Sequence, residues 1–408
     1  MADDGHCLVG QDQPISSAMH ADMHIRLRRL RAVIRSLPLL PAVIAFELLA
    51  PSEPVGSLFF YLLVPAFLAW QIGKGWRPSW REPAVSLGLG LILWSTICLA
   101  WGHDPSGQDA SRLLWLGDAI CTLVFFLAWL ATDADRQSRS WLVPTLLASG
   151  AGNALFAIGR HLLFDPAGMR MLGWGLTGQP VPGSAIMAVL FVVAFDRFIR
   201  LIRVDRRTAI YHLGALIIFG LFMILSNSRG PVLAVAIATA YRLSRERWQI
   251  AAGLGLTVFT GLVGMFAIFP HWARALLAND FQRGTDWHVT IWRAALAAIA
   301  SRPVVGYGPT ARLPINLPGL PYPFPHDLYL STLFYSGAIG LVLLALLMIT
   351  IFRNSNRLPP VYVAVCIIPL VSGITDLSQI IKGPSAIWFV FWVPVLLNIT
   401  AIMHQKEY

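Results

Sequence analysis

Long apolar stretches, separated by shorter polar segments, set the pattern of the whole chain. A helix that crosses a membrane needs roughly 20 mostly apolar residues, and most of these stretches approach that length. Nine precede a long polar and proline-rich segment, and three follow it. They cover approximately residues 33–50, 55–72, 84–101, 112–131, 141–163, 184–202, 209–226, 230–243, 249–270, 327–352, 360–377 and 384–402. The pattern predicts an all-α polytopic membrane protein with about twelve transmembrane helices.

This pattern divides the chain into five parts. They are a polar N-terminus (1–32), spans 1–9 (33–270), one long segment outside the membrane (271–325), spans 10–12 (326–403) and a short C-terminus (404–408). Within the long segment, an apolar stripe that includes Ile291 and Ala298 predicts an amphipathic helix over 286–300. The proline-rich stretch 312–325 that follows excludes regular helix and favours an extended path.

The composition supports a membrane protein and excludes other classes. Of the 408 residues, 56% are hydrophobic and only 13% are charged. A soluble globular chain is about a quarter charged, so an ordinary soluble enzyme, a disordered chain and a collagen-like chain are excluded. The formal net charge is +10, and in a membrane protein such an excess is more typical of topology than of nucleic-acid binding. We therefore expect membrane lipids, and no nucleic acid, among the partners.

The basic residues predict which side of the membrane each loop faces. If the N-terminus is cytoplasmic, 21 of the 31 lysines and arginines lie on the cytoplasmic side. A two-to-one excess in short loops matches the positive-inside pattern, so both termini are expected in the cytoplasm. The loops around His103 and Asp104, at 164–183 and at 226–229, and the segment 271–325 then meet on the outer face.

The cysteines and histidines give no sign of a disulfide framework or a metal site. Cys98, Cys121 and Cys366 lie in apolar runs and Cys7 lies in the polar N-terminus, without paired spacing. No outer-side histidine and carboxylate have the spacing of a metal-ligand motif such as His-Glu-x-x-His. We expect no catalytic metal and no cofactor.

Arg229 stands out because positive residues on the outer face run against the topology pattern. Ser226, Asn227 and Ser228 are suited to cap a helix, and Pro231 suits its first turn. Arg229 is therefore expected at a helix N-terminus, where free N–H groups and the helix dipole favour an anion. A phosphate-binding site is one interpretation. The other is an arginine that reaches lipid headgroups or pairs with an outer carboxylate.

Four more outer-side residues are candidates for binding an anion. Arg170 lies in the middle of the loop 164–183. Its side chain is expected either to bind the anion, to contact lipid phosphates, or to pair with Asp165 of the same loop. Arg283, His288 and Arg293 flank or occupy the predicted amphipathic helix. Together these residues make the outer surface basic, and such a surface attracts anionic substrates.

His326 ends the proline-rich stretch and opens span 10. A helix N-terminus disfavours the imidazolium, so a neutral ring there offers a nitrogen as proton acceptor near neutral pH. Asp327 either opposes this effect or orients the ring. The alternative is a histidine that only caps the helix.

These pieces occur together in an order that resembles the bacterial O-antigen ligases. After His326 come ten residues and then Gly337 and Gly340, which is similar to the ligase signature. Asn-Ser-Arg-Gly at 227–230 resembles the Ser/Thr-Arg-Gly element of the wider O-antigen ligase and polymerase superfamily. The segment 291–308, with an aromatic residue, a helix, then Pro and Gly-x-Gly, is similar to a third element. The likeness covers about residues 110–350 and agrees with twelve spans.

Two positions depart from the family pattern. Asp327 stands where members usually carry Asn, Ser or Gln, and His288 stands where many carry an arginine. By the resemblance, Arg283 or Arg293 is expected to supply that positive charge.

The resemblance implies a glycosyltransferase of lipopolysaccharide biosynthesis, with a periplasmic active site in the bacterial inner membrane. The donor would be an O-antigen glycan on undecaprenyl pyrophosphate, and the acceptor a hydroxyl of lipid A–core oligosaccharide. His326 would act as general base. The residues expected to stabilise the pyrophosphate are Arg229, Arg170, Arg283, His288 and Arg293. Direct displacement would be inverting and independent of metal.

Other functions remain open at this point. An O-antigen polymerase or a protein O-oligosaccharyltransferase of the same superfamily would share the donor. A lipid-linked oligosaccharide flippase, from another class, would also need arginines for pyrophosphate. Most unusual charges lie in outer loops, which favours an enzyme over a transporter. Asp118 and Asp196 are exceptions within spans, and Asp196 is expected to pair with Arg200 one turn later.

Overall fold

The computed structural model describes residues 39–102, 110–133, 136–166, 169–246, 285–313, 315, 324–377 and 379–405. These residues form helices and no strand. The α-helices are α1 (Leu39–Leu49), α2 (Glu53–Gly73), α3 (Pro83–Ile97), α4 (Ala110–Asp133), α5 (Arg136–Phe164), α6 (Pro180–Leu201), α7 (Arg206–Leu225), α8 (229–246), α9 (Thr285–Ser301), α10 (Leu328–Arg353), α11 (Pro360–Asp376) and α12 (Val393–His404). A 3-10 turn extends α3 over Cys98–Ala100, and a π-helical turn, Trp388–Trp392, precedes α12.

The helices have the lengths that a polytopic membrane protein needs. Six of those described are long and apolar enough to cross a membrane: α2, α3 with its extension, α4, α5, α7 and α10. Shorter apolar helices are α1, α11 and the stretch Trp388–His404. The all-α polytopic architecture is therefore confirmed. The predicted span 249–270 and the proline-rich residues 316–323 lie outside the described residues.

Aromatic rings fill the centre of the bundle. Trp388 is fully buried, stacks on Phe125 of α4 with ring centroids 4.4 Å apart, and meets the edge of Phe60 of α2 at 4.7 Å. Near another helix end, Arg200 and Arg242 both donate to the carboxylate of Asp196, at 3.0 and 2.5 Å. The expected Asp196–Arg200 pair is confirmed, and the buried Arg242 is a second partner of the same carboxylate.

The glycine signature marks a break in α10. Gly337 has φ 64° and ψ −170° within this helix, a region that is essentially restricted to glycine. A Cβ at Gly337 would lie 2.1 Å from the carbonyl oxygen of Val304. The break therefore requires glycine for two reasons, backbone conformation and the close approach of another segment.

The loop between α9 and α10 fills this break. Tyr307 and Gly308 donate backbone hydrogen bonds to Phe334 and Tyr335 at 2.8 and 2.9 Å, and Ala338 donates to Pro303 at 2.8 Å. Buried backbone groups freed by a helix break need such partners. The Pro and Gly-x-Gly element and the glycine of the His–Gly signature therefore contact each other directly.

The helix α9 confirms the predicted amphipathic helix and fastens the same region. Its apolar face buries Ile291, Ala295 and Ala298 in one cluster with Phe334 and Tyr335 of α10. Because Phe334 lies less than two turns after the start of α10, this cluster holds α9 beside the segment that carries His326.

Candidate functional site

His326 lies immediately before the N-cap of α10 in a strained backbone conformation. Its φ is 49°, which is uncommon for a residue other than glycine and is often found at functional sites. Its ring stacks on Phe324 with centroids 3.7 Å apart. Asp327 is the N-cap, because its carboxylate accepts the backbone N–H of Leu330 at 2.7 Å. His326 therefore does not cap the helix, and the interpretation of His326 as a capping residue is wrong.

The carboxylate that orients the His326 ring belongs to Asp376, at the end of α11. The Nδ1 of His326 and the Oδ1 of Asp376 are 3.1 Å apart, and the two side chains are 21% and 25% exposed. When Nδ1 carries the proton, it donates to Asp376 and leaves Nε2 as a proton acceptor. The alternative in which Asp327 orients the ring is wrong, because Asp327 is engaged with the helix backbone.

Asp376 was missed by the sequence analysis because it lies 50 residues beyond His326. The available signal was a carboxylate at the end of an apolar run. A helix C-terminus disfavours an anion by about 0.3–1 kcal/mol, so a carboxylate there needs a reason. The nearby imidazole supplies one.

Arg170 fastens its loop to the turn between α7 and α8. Its Nε donates to the carbonyl of Ser226 at 2.5 Å, and its Nη2 donates to the hydroxyl of Ser228 at 3.0 Å. Burial lowers the pKa of Arg170, whereas the negative charge of Asp376 raises it, which places Arg170 near the pair formed by His326 and Asp376. Pairing with Asp165, the carboxylate of its own loop, is wrong, because Asp165 bonds to His161 at 2.8 Å.

Arg229 is the first residue of α8, as predicted, and its side chain is exposed. The preceding Asn227 has φ 49°, a left-handed conformation that asparagine tolerates and that turns the chain into the new helix. A Cβ at Gly230 would lie 2.9 Å from the hydroxyl oxygen of Thr375. The start of α8 thus packs against the residue that precedes Asp376.

His288 of α9 closes another side of the site. Its ring lies perpendicular to that of His326 with centroids 6.0 Å apart, and 5.8 Å from that of Trp292. Burial lowers the pKa of His288, the nearby His326 lowers it further, and Asp376 opposes both. The Nδ1 of His288 and the Nε1 of Trp292 are buried without a hydrogen-bond partner among the described residues. A bound ligand would supply partners for such groups.

The remaining candidates are not brought into this cluster. Arg293 is exposed on α9, and no contact between described residues joins it to His326. Arg283 lies outside the described residues. Within the described ranges, no group of three or more His, Cys, Asp or Glu side chains is arranged to hold a metal ion.

The geometry permits acid–base chemistry beside an anion. A histidine held by a carboxylate can take a proton, and arginines near a helix N-terminus can bind a phosphate group. The elements that meet are the loop of Arg170, the start of α8, the helix α9, the start of α10 and the end of α11.

Comparisons with known proteins agree with the resemblance. A model of the O-antigen ligase family matches residues 214–345, the part of the chain that carries Arg229, His288, His326 and the break at Gly337. The chain is also 25% identical to an O-antigen ligase of Pseudomonas aeruginosa, over 360 residues and 86% of each chain. Arg170 and Asp376 lie outside the segment matched by the family model.

Proposed function

We propose that this chain, which belongs to the O-antigen ligase superfamily, transfers a glycan from undecaprenyl pyrophosphate to a hydroxyl of lipid A–core oligosaccharide. Its apolar helices and its similarity to a bacterial O-antigen ligase support a bacterial membrane protein and an enzyme of the glycosyltransferase type. The proposed setting is the inner membrane, with both termini in the cytoplasm and the site facing the periplasm. The observation that carries the proposal is the His326–Asp376 pair beside Arg170 and the start of α8.

His326 acts as general base in this proposal. A sugar hydroxyl is a poor nucleophile, so its proton must leave as its oxygen attacks the anomeric carbon. The Nε2 of His326 takes that proton, while Nδ1 stays bonded to Asp376. The carboxylate stabilises the imidazolium as it forms, as a positioned second residue does for other catalytic histidines.

The leaving group requires positive charge. As the bond between the anomeric carbon and the phosphate oxygen breaks, its electron pair goes to undecaprenyl pyrophosphate. Arg229 and the N-terminal N–H groups of α8 bind this developing charge, and Arg170 supports them through the turn that it holds. Because the guanidinium groups supply this charge, the proposed reaction is independent of a metal ion.

Attack from the side of His326 and departure toward Arg229 invert the anomeric centre. The unpartnered Nδ1 of His288 and Nε1 of Trp292 then serve as hydrogen-bonding groups for the sugar or the pyrophosphate. In this role a neutral His288 binds by hydrogen bonds where many family members use an arginine.

The test is transfer by the purified full-length protein in proteoliposomes that contain lipid-linked O-antigen and lipid A–core, with a chelator present. We expect a glycan ladder on lipid A–core with the wild type. His326→Ala and Arg229→Ala should each lower the rate about 10²–10³-fold, whereas Arg203→Ala, an exposed residue at the α6–α7 turn, should not.

Other products would refute the proposal in specific ways. Elongation of the donor lipid alone would indicate a polymerase, and glycan on a serine or threonine would indicate a protein-glycosylating enzyme. Movement of the lipid across the bilayer with no new glycosidic bond would indicate a flippase. Full activity of His326→Ala would remove the base from the mechanism.

A further inference from the structure

A cavity of about 540 Å³ lies at the end of the helix bundle opposite His326. The two sites are separated by the length of α10, which starts two residues after His326 and ends at Arg353, four residues before the cavity residue Arg357. The part of α10 after its break at Gly337, residues 338–353, alone corresponds to ~24 Å of helix. The cavity is lined by residues from the end of α4, the first half of α5, the α10–α11 connection and the end of α12, including Trp129, Leu142, Arg357, Leu397, Thr400 and His404. This cavity therefore has no part in the proposed transfer reaction.

The lining of this cavity changes from apolar and buried to polar and exposed. Trp129, Leu142 and Leu397 are buried and form its inner wall. Arg357 and Pro359 are exposed at its rim. A ligand that fills it must therefore be apolar at one end and polar at the other.

The rim is held in place and carries positive charge. The side-chain amide of Gln405 donates a hydrogen bond to the backbone carbonyl of Arg357, which ties the end of α12 to the α10–α11 connection. None of the carboxylates in the described part of the chain forms an ion pair with Arg357. An exposed guanidinium on this tethered segment, at the mouth of an apolar cavity, favours an anionic headgroup.

The inner wall contains a donor without an acceptor. The indole N–H of Trp129 is fully buried and has no hydrogen-bond partner among the described residues. Buried donors in native structures are usually satisfied, so this N–H is a hydrogen-bonding group that an acceptor on a ligand of the cavity would satisfy. An ester carbonyl between a headgroup and an acyl chain is such an acceptor.

We propose that this cavity binds an anionic glycerophospholipid, with its phosphate at Arg357 and an acyl chain against Trp129 and Leu397. Free phosphate would leave the apolar wall empty, and a zwitterionic lipid would gain less from the guanidinium. The volume lies within the range of about 300–1,000 Å³ that is typical of ligand pockets. Basic pockets between membrane helices are established sites for anionic lipid headgroups.

Native mass spectrometry of the delipidated full-length protein tests this proposal. The protein is titrated with phosphatidylglycerol and, separately, with phosphatidylcholine that has the same acyl chains. We expect tighter binding of phosphatidylglycerol, and a loss of about fivefold in its affinity in Arg357→Gln, since one arginine near an anionic lipid surface contributes an effect of that size. Arg353→Gln is the matched control, because Arg353 is exposed at the same end but does not line the cavity.

A steric variant separates the cavity from general surface charge. Ala401 lines the cavity, so Ala401→Phe fills it without changing charge and should also weaken phosphatidylglycerol binding. Equal affinities for the two lipids would overturn the proposal. Equal losses in Arg353→Gln and Arg357→Gln, or unchanged binding in Ala401→Phe, would overturn it as well.

Discussion

Asp376→Asn removes the negative charge that faces His326 and keeps the size of the side chain. In the wild type, the carboxylate accepts from Nδ1 and favours the imidazolium that forms when Nε2 takes a proton. The asparagine can still form a hydrogen bond, but it does not stabilise the charged ring. The rate of proton transfer should fall, while the binding of both lipid-linked substrates should change little.

The magnitude follows from the geometry of the pair. The two atoms are 3.1 Å apart, and the side chains are 21% and 25% exposed, so solvent screens the interaction only in part. A hydrogen bond to a charged group contributes about 1.5–3 kcal/mol, which corresponds to a loss of about 10- to 150-fold in kcat. Asp376→Glu keeps the charge and should lose less.

The assay is the initial rate of glycan transfer in proteoliposomes, with kcat and KM determined separately for each substrate. Asp327→Asn is the matched control, since it also neutralises a carboxylate near His326 but leaves a good N-cap residue. We expect the control to retain kcat. Equal losses in the two variants, or an effect of Asp376→Asn on KM alone, would refute the assignment of Asp376 to the base.

Substitutions at three further positions test the helix break and the anion site. Gly337→Ala should lower the free energy of unfolding by about 1–3 kcal/mol from backbone strain alone, measured by thermal unfolding in detergent. Gly214→Ala is the control and should not lower it, because a Cβ at Gly214 has nothing within 4 Å. Arg170→Ala should raise the KM for the donor, and Arg170→Lys should not restore it, because one ammonium cannot reproduce the two bonds of the guanidinium fork; full rescue by lysine would contradict this. Burial lowers the pKa of His288, so the unfolded chain binds its proton first and wild-type stability should fall as the pH drops below about 6.5. In His288→Gln this slope should be reduced, and parallel pH curves would contradict the argument.

The helices were predictable because long apolar runs in a membrane protein have few alternatives to helix. The position of Arg229 was predictable for a similar reason, since capping residues and a following proline are local signals. The partner of His326 was not predictable, because Asp327 is adjacent in sequence and Asp376 is 50 residues away. Only the packing of α10 against α11 decides between them.

The break in α10 shows a different limit. The spacing from His326 to Gly337 was visible in the sequence, but its physical reason was not. Gly306 has a positive φ of 68°, and a Cβ there would also lie 2.7 Å from the backbone nitrogen of Gly337, so this position requires glycine as well. Two glycines that are 31 positions apart in sequence thus depend on one contact, and no local pattern contains that information.

The charges at the site run against the preferences of the helices that carry them. Arg229 is a cation at the start of α8, and Asp376 is an anion at the end of α11, and each placement is unfavourable by about 0.3–1 kcal/mol. The contact between Gly230 and Thr375 brings these two helix ends together. If pyrophosphate binds at α8, the carboxylate of Asp376 repels it from the side of His326. The donor phosphate is then confined to the side of Arg229 and the acceptor hydroxyl to the side of His326. In-line displacement requires this separation of leaving group and base across the anomeric carbon.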